Sequence, residues 1–382
     1  MEFCNASDAG NASDLLTVIV TTSPVRSNPS TEMLASTLES LALVPYLRTA
    51  PRLLVCDGCI VDQQKPQHKA GRVTAEEQMQ YAEFVRCVKI GASSSESGPF
   101  SGLTILEIPT REGFGFAVRR ALAEVSTPYV MVVQHDQHLA RTFDLLGVLR
   151  AMRAHPDVIK YVGLCSESTQ HYATTMRGKY GLTLQRTTAY GVPLLPLIFW
   201  YDKPHICAAD HYREFVFGRR NPFLVRHEEH QRQRRLHEEA TRREADAVHG
   251  SCDGAAVVNV DDEDASGAGP RPVEAAAEIR AWKHYERGKS QGGGAPHGIV
   301  RCGNFIEETF GRAQRAEIIE HGLAAHAKYG TWQLDVGEGP GEDGIAQIHV
   351  VHVHGRKFLT PEQRAACGWP DPRGGGIKRD FP

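Results

Sequence analysis

Long apolar runs are missing from this chain: no segment approaches the roughly 18 residues that a membrane span needs. The start, "MEFCNASDAGNASD", has neither the charged opening nor the apolar centre of a signal peptide. The sequence therefore predicts a cytoplasmic protein and leaves a Golgi association open. Without a signal, the sequons at Asn5 and Asn11 carry no expectation of glycosylation.

A surplus of charge of either sign is also absent. Lys and Arg number 43 against 46 Asp and Glu, a formal net charge of -3, which gives no electrostatic reason to expect a nucleic acid or an anionic membrane as partner. Cysteine is sparse: nine in 382 residues are too few and too scattered for a disulfide scaffold. Cys56 and Cys59 form a CxxC, but no second pair follows at zinc spacing, so Cys56 reads as strand core. With 41% hydrophobic residues the chain has enough apolar matter for a sizeable core.

That apolar matter comes in short pieces. "LLTVIVTT" (15–22) is a β-branched, nearly unbroken run, the pattern of a strand buried on both faces of a parallel sheet. Leu34, Leu38 and Leu41 follow at helical spacing, then "PRLLVCDG" supplies a second strand ending on Asp57. Thr74 and Glu77 form a capping box opening a helix with Tyr81, Phe84, Val85 and Val88 on one face. "LTILEIP", the helix-like "GFAVRRALAEV" and the strand "YVMVV" complete four alternations. Such alternation predicts an α/β fold with a mostly parallel central sheet flanked by helices, whose ligands bind at the carboxyl ends of the strands.

The chain divides by composition into a flexible tail (1–14), a first half (15–140), a second half built from 141–218 and 298–360, a charged and Gly-rich insert between those parts (219–297) and a C-terminal tail (361–382). The strand at 129–133 runs straight into Gln134, His135, Asp136, Gln137 and His138. A buried strand ending on a carboxylate places Asp136 in the ligand crevice, where it suits Mg²⁺ or Mn²⁺, or else caps a helix or pairs with Arg. His352 and His354, two apart in "HVVHVHG", share a strand face and are further candidate ligands, with His349 pointing the other way. His138 adds another imidazole beside Asp136.

In "REGFGFAVRRAL", Gly113 and Gly115 lie before a helix, where backbone amides can approach a phosphate. Val118 stands where a dinucleotide fingerprint asks for Gly or Ala, and the motif follows the third strand rather than the first. Glu307 and Glu308 in "NFIEETFG" suit either the first turn of a helix or a general base.

Together these segments resemble the inverting GT-A glycosyltransferases, especially family 2. The likeness lies in "TVIVTT", "LLVCDG", "GFGFAVRRAL" and "YVMVVQHD", in order over about residues 15–140, and then in "GNFIEETFG" and "HVHG". It implies a GT-A fold and a hexosyl- or pentosyltransferase that moves a sugar from a nucleotide-diphosphate sugar to the hydroxyl of a glycan, protein or small-molecule acceptor, with inversion. Thr21, Asp57, Gly113, Arg119 and Asp136 would bind the donor, with Arg120 a second candidate for its phosphates. Mn²⁺ or Mg²⁺ would sit on Asp136, His352 and His354, and Glu307 or Glu308 would be the base, with Asp210 in "CAADHY" the next carboxylate to consider. Gln134 replaces the first carboxylate of the family's DxD motif, so Gln134→Asp should keep activity or raise metal affinity. That replacement also leaves open a catalytically inactive relative that binds a nucleotide or a partner, and the glycine motif leaves open a dinucleotide-dependent oxidoreductase.

Overall fold

A computed structural model describes residues 12–64, 66–94, 97–218, 305–308, 310–337, 347–353 and 361–362. The chain separates into two units, one of residues 1–217 with 304–382 and one of 218–303; every element below belongs to the first. The expected insert (219–297) and nearly all of both tails lie outside the described residues.

The first unit begins with α1 (Ala12–Leu15), β1 (Leu16–Thr22), α2 (Glu32–Ser40) and β2 (Arg52–Cys56). A small ribbon, β3 (Ile60–Val61) with β4 (Arg72–Val73), precedes α3 (Ala75–Ser93), β5 (Leu103–Glu107), α4 (Phe114–Glu124) and β6 (Tyr129–Gln134). Next come β7 (Gln137–Leu139), α5 (Leu145–Ala154), β8 (Tyr161–Leu164), α6 (Tyr172–Tyr180), β9 (Leu194–Pro196) and β10 (His205–Ala208). Beyond the insert lie α7 (Phe310–His321), α8 (His326–Tyr329), β11 (Thr331–Leu334) and β12 (Val350–His352).

Eight strands form one sheet in the order β5-β2-β1-β6-β10-β8-β11-β9. The first four run parallel, as does β11 beside β8, whereas β10 and β9 run against their neighbours. The expected mostly parallel central sheet flanked by helices is present. All seven residues of β1 are buried, as its unbroken apolar run predicts for a central strand covered on both faces.

Alternation along the strands separates the two faces. Val18, Val20, Leu54, Met131 and Val133 share a cluster with Leu34 and Leu38 of α2, Phe84 and Val88 of α3 and Val148 and Met152 of α5. Ile19, Leu53, Val55, Val130 and Val132 are buried in alternate positions and face the other side, the side left for α4, which packs on β1 and β2. The capping box that opens α3 is formed in full: Glu77 N–H donates to Thr74 Oγ1 at 3.1 Å, and Thr74 N–H to Glu77 Oε2 at 2.9 Å.

After β1 the chain builds β2 and β5 on one side, then returns through α4 to place β6 on the other. This reversal falls between β1 and β6, and at such a point a doubly wound sheet receives its ligand in a crevice at the carboxyl ends of the strands. Cys56, the last residue of β2, is buried core as expected. Burial above all, with the charge of Glu107, pushes its thiol up to about 12, so it is no reactive thiolate at neutral pH.

Candidate functional site

The site grows from the end of β6. Thr21, next to last in β1, is buried and paired with Gln134, and its carbonyl accepts the His135 amide at 3.0 Å. The buried His135 ring meets Thr22 Oγ1 at 2.8 Å through Nδ1, and burial lowers its pKa. Beneath the turn, Thr37 Oγ1 donates to the carbonyl of His135 at 2.5 Å, and Ser40 Oγ accepts the Leu139 amide at 3.0 Å. These α2 hydroxyls fix the turn that presents Asp136. The sequence reading missed them, although "STLES" places hydroxyls one helical turn apart on a helix otherwise read for its leucines.

The chain then returns on β7, which pairs antiparallel with β12 so that His352 lies opposite Gln137. Val353 N–H donates to the Asp136 carbonyl at 2.8 Å, and His352 Nε2 stands 3.0 Å from Asp136 Oδ2. The structure thus unites two of the three expected metal-binding residues; His354 lies outside the described residues. Burial alone would raise the Asp136 carboxyl, but the His352 hydrogen bond and the nearby His135 and His352 rings outweigh it and lower the pKa. His349 is buried edge-on against Phe143, away from this pair, as alternation predicts. His138 lies on β7 with Nδ1 3.5 Å from Ser36 Oγ.

These residues fit a hard divalent cation. A carboxylate and an imidazole are donors that Mn²⁺ accepts, and the 3.0 Å contact of Asp136 Oδ2 with His352 Nε2 is a hydrogen bond that such a cation would replace. Asp136 Oδ1 is buried with no hydrogen-bond partner among the described residues, an acceptor with capacity to spare. Among the described residues there is no group of three or more His, Cys, Asp and Glu suited to a metal, so the remaining ligands would be oxygens of a bound substrate and water.

At the end of β2, Asp57 is buried and fully engaged. Arg111 Nη1 lies 2.5 Å from Oδ2, the Gly113 amide donates to Oδ2 at 2.9 Å, and the Glu112 amide donates to Oδ1 at 2.9 Å. Burial raises its pKa, against the pull of Arg111 and the two amides. Gly113 has φ +87°, a conformation that favours glycine, and caps the start of α4. The Gly113 amide, expected with that of Gly115 to approach a phosphate, therefore meets the protein's own carboxylate. Arg119 and Arg120 lie on the exposed face of α4, where Arg120 pairs with Glu112 at 2.7 Å.

The third component is a pair of carboxylates. Glu307 sits in a short 3₁₀ turn (Ile306–Glu308) before α7. Its amide donates to Asp202 Oδ2 at 3.1 Å, while the Asp202 amide donates to Glu307 Oε2 at 3.2 Å. Gln134 Nε2 donates to the Asp202 carbonyl at 2.7 Å. Burial, with the charge of Glu307 next, raises the Asp202 carboxyl well above the usual carboxylate range. Asp202 escaped the sequence reading; its signal is a lone acid ending the aromatic run "FWYD". The side chain of Glu308 lies outside the described residues.

Asp210, the expected reserve carboxylate, is at the wrong end. Because β10 runs antiparallel to β6, Ala208 pairs with Tyr129, carrying the chain to the amino ends of the parallel strands, and Asp210 is exposed beside Arg213 at 3.0 Å. A hollow of about 440 Å³ at those amino ends, with Thr17 and Arg52 among its lining, is remote from the crevice for the same reason. No helix among the described residues is long and apolar enough to cross a membrane.

No protein-family model matches the sequence, and no curated protein matches it. Among solved structures, it is similar to S. aureus TarS 1–349 at 17% identity and TM-score 0.31, over 52% of this chain and 48% of that one. The mannosyltransferase PcManGT from Pyrobaculum calidifontis, in complex with GDP-Man and Mn²⁺, is similar at 13% identity and TM-score 0.30, over 50% of this chain and 44% of that one. TarS 1–349 in complex with UDP-GlcNAc aligns at 19% identity and TM-score 0.26, over 40% and 35%. The chain spans less than half the length of each, and likenesses this slight decide nothing about its activity.

Proposed function

We propose that this chain is a metal-assisted glycosyltransferase of the GT-A kind, moving a sugar from a nucleotide-diphosphate sugar to an acceptor hydroxyl with inversion. The observation that carries the reading is the meeting of Asp136 and His352 at 3.0 Å beside the crevice between β1 and β6. A lone carboxylate with an imidazole suits a cation shared with phosphate oxygens. When bound, such a cation offsets charge building on the departing diphosphate.

In this reading Glu307 is the base. The acceptor oxygen forms a bond to the anomeric carbon as the bond to the diphosphate breaks, and the hydroxyl proton passes to the Glu307 carboxylate. A single displacement of this kind inverts the anomeric centre. Asp57 supports the donor indirectly, by fixing the turn from Arg111 to Gly113. Thr21 contributes backbone at the crevice floor, and Arg119 is given no contact with the donor.

The test is a panel of nucleotide-diphosphate sugars incubated with the full chain and Mn²⁺. Release of the nucleoside diphosphate from at least one donor, abolished by chelation, is the expected result. A panel that yields neither turnover nor metal-dependent binding rules the reading out, while metal-dependent binding without turnover marks a nucleotide-binding relative.

A further inference from the structure

The side chain at the first position of the QHD sequence reaches away from the cation pair. Gln134 closes β6, and its amide Nε2 donates to the main-chain carbonyl of Asp202 at 2.7 Å. The same residue's amide N–H donates to Glu307 Oε2 at 3.2 Å, and its carboxyl Oδ2 accepts the Glu307 amide at 3.1 Å. One peptide segment thus meets Gln134 on one side and Glu307 on the other. The register explains why: β10 pairs with β6 with His205 opposite Val132, so the residues just before β10 pass the end of β6, where Gln134 lies.

We infer that Gln134 is a positioning residue for Glu307, acting through the Asp202 segment. The inference rests on the assignment of Glu307 as the base. In place of a carboxylate for the cation, this position supplies an amide donor that fixes a carbonyl on a distant segment. A charged side chain there would set a carboxylate against that carbonyl, two acceptors with no proton between them. The site's two parts, the Asp136 cation pair and the Glu307 base, are then tied to neighbouring residues of one strand end.

The arrangement has a chemical consequence. Hydrogen bonding from the Asp202 amide to Glu307 Oε2 favours the ionised carboxylate, the form that accepts a proton. Among the described residues, the charge of Glu307 acts on Asp202, Tyr161 and Tyr201, and Arg315 acts on Tyr201 from α7. All of them remain when Gln134 alone is changed. A shift in Glu307 on altering Gln134 therefore reports the geometry of the Asp202 segment.

The experiment follows the Glu307 carboxyl carbon by NMR across a pH titration of the full chain, with the signal assigned by its loss in Glu307→Gln. In Gln134→Met, which keeps the bulk and removes the donor, the midpoint is expected to rise by roughly one pH unit. Gln134→Asn, which keeps an amide one methylene back, should give a smaller rise and stands in should Gln134→Met fail to fold. An unchanged midpoint in a folded variant overturns the inference. The titration needs no donor, so a chain that transfers no sugar yet shows the shift loses the glycosyltransferase reading and keeps the link from Gln134 to Glu307. Where transfer is found, the acid limb of the turnover profile should move by the same amount.

Discussion

Asp202 and Glu307, 105 residues apart, accept each other's main-chain amides, at 3.1 Å and 3.2 Å. This reciprocal pair brings the segment after the insert to the carboxyl end of the sheet. Glu307→Gln keeps the size of the side chain and removes its basicity. Turnover on a responsive donor and acceptor should fall by about 10²- to 10⁴-fold, with donor affinity near normal. Full turnover in this variant moves the base elsewhere, and Asp202, rather than Asp210 at the far end of β10, is the next carboxylate to replace.

Asp57 is predicted to matter for stability before it matters for binding. It and Arg111 are both nearly inaccessible, with side chains 3% and 9% exposed, and Asp57→Ala strands the guanidinium among the buried groups around it. The expected loss is about 3–5 kcal/mol in urea unfolding, as for other buried pairs broken on one side. A variant as stable as the wild type contradicts the place given to Asp57 as the clamp on the turn before α4.

Gln134→Asp separates the two readings of the QHD motif. Family resemblance predicts retained activity or tighter metal binding; the 2.7 Å hydrogen bond from Gln134 to the Asp202 carbonyl predicts no gain in Mn²⁺ affinity and a lower melting temperature. Calorimetric Mn²⁺ titration with a thermal melt of the same sample decides between them.

Acid should weaken the fold through His205. Its Nδ1–H donates to the Lys203 carbonyl at 2.6 Å, and Nε2 accepts from the Tyr212 hydroxyl at 2.6 Å, an arrangement made for the neutral ring. Burial pushes its pKa down to about 4, against an ordinary value of about 6.5. Between those values the unfolded chain binds the extra proton. This contribution to stability is full above the ordinary value and declines as pH falls toward 4, with a total on the order of 3 kcal/mol. His205→Gln should lower stability at neutral pH and flatten the dependence of the urea midpoint between pH 6.5 and 4. An unaltered slope removes His205 as its source.

The sequence is most legible where strands are buried on both faces. β1, β2 and β6 read as short apolar runs because neighbours and helices cover both faces, and the α3 capping box is a local pattern that needs no tertiary knowledge. The nearness of Asp136 and His352, 3.0 Å apart, was legible from chemistry at strand ends. β11 was not, because "TWQL" looks half polar: Gln333 is buried by donating to the Thr169 carbonyl at 3.2 Å, and Thr331 by donating to the Leu197 carbonyl at 2.8 Å. Asp202 and Asp210 are close in sequence, yet β10 carries them to opposite ends of the sheet, a distinction that only strand direction reveals. Asp57 and Gly113 each looked ready for a ligand, and nothing in their local sequence says that they satisfy each other.

The most direct measurement is calorimetric titration of nucleotide-diphosphate sugars into the full chain with Mn²⁺ and with chelator, for the wild type and Asp136→Asn. Replacing the carboxylate with an amide keeps its shape and removes the charge that a hard cation requires. The account predicts a donor that binds the wild type only with Mn²⁺ and loses that metal-dependent binding in Asp136→Asn. Equal binding with and without Mn²⁺, or an Asp136→Asn variant that keeps the wild-type metal response, contradicts it.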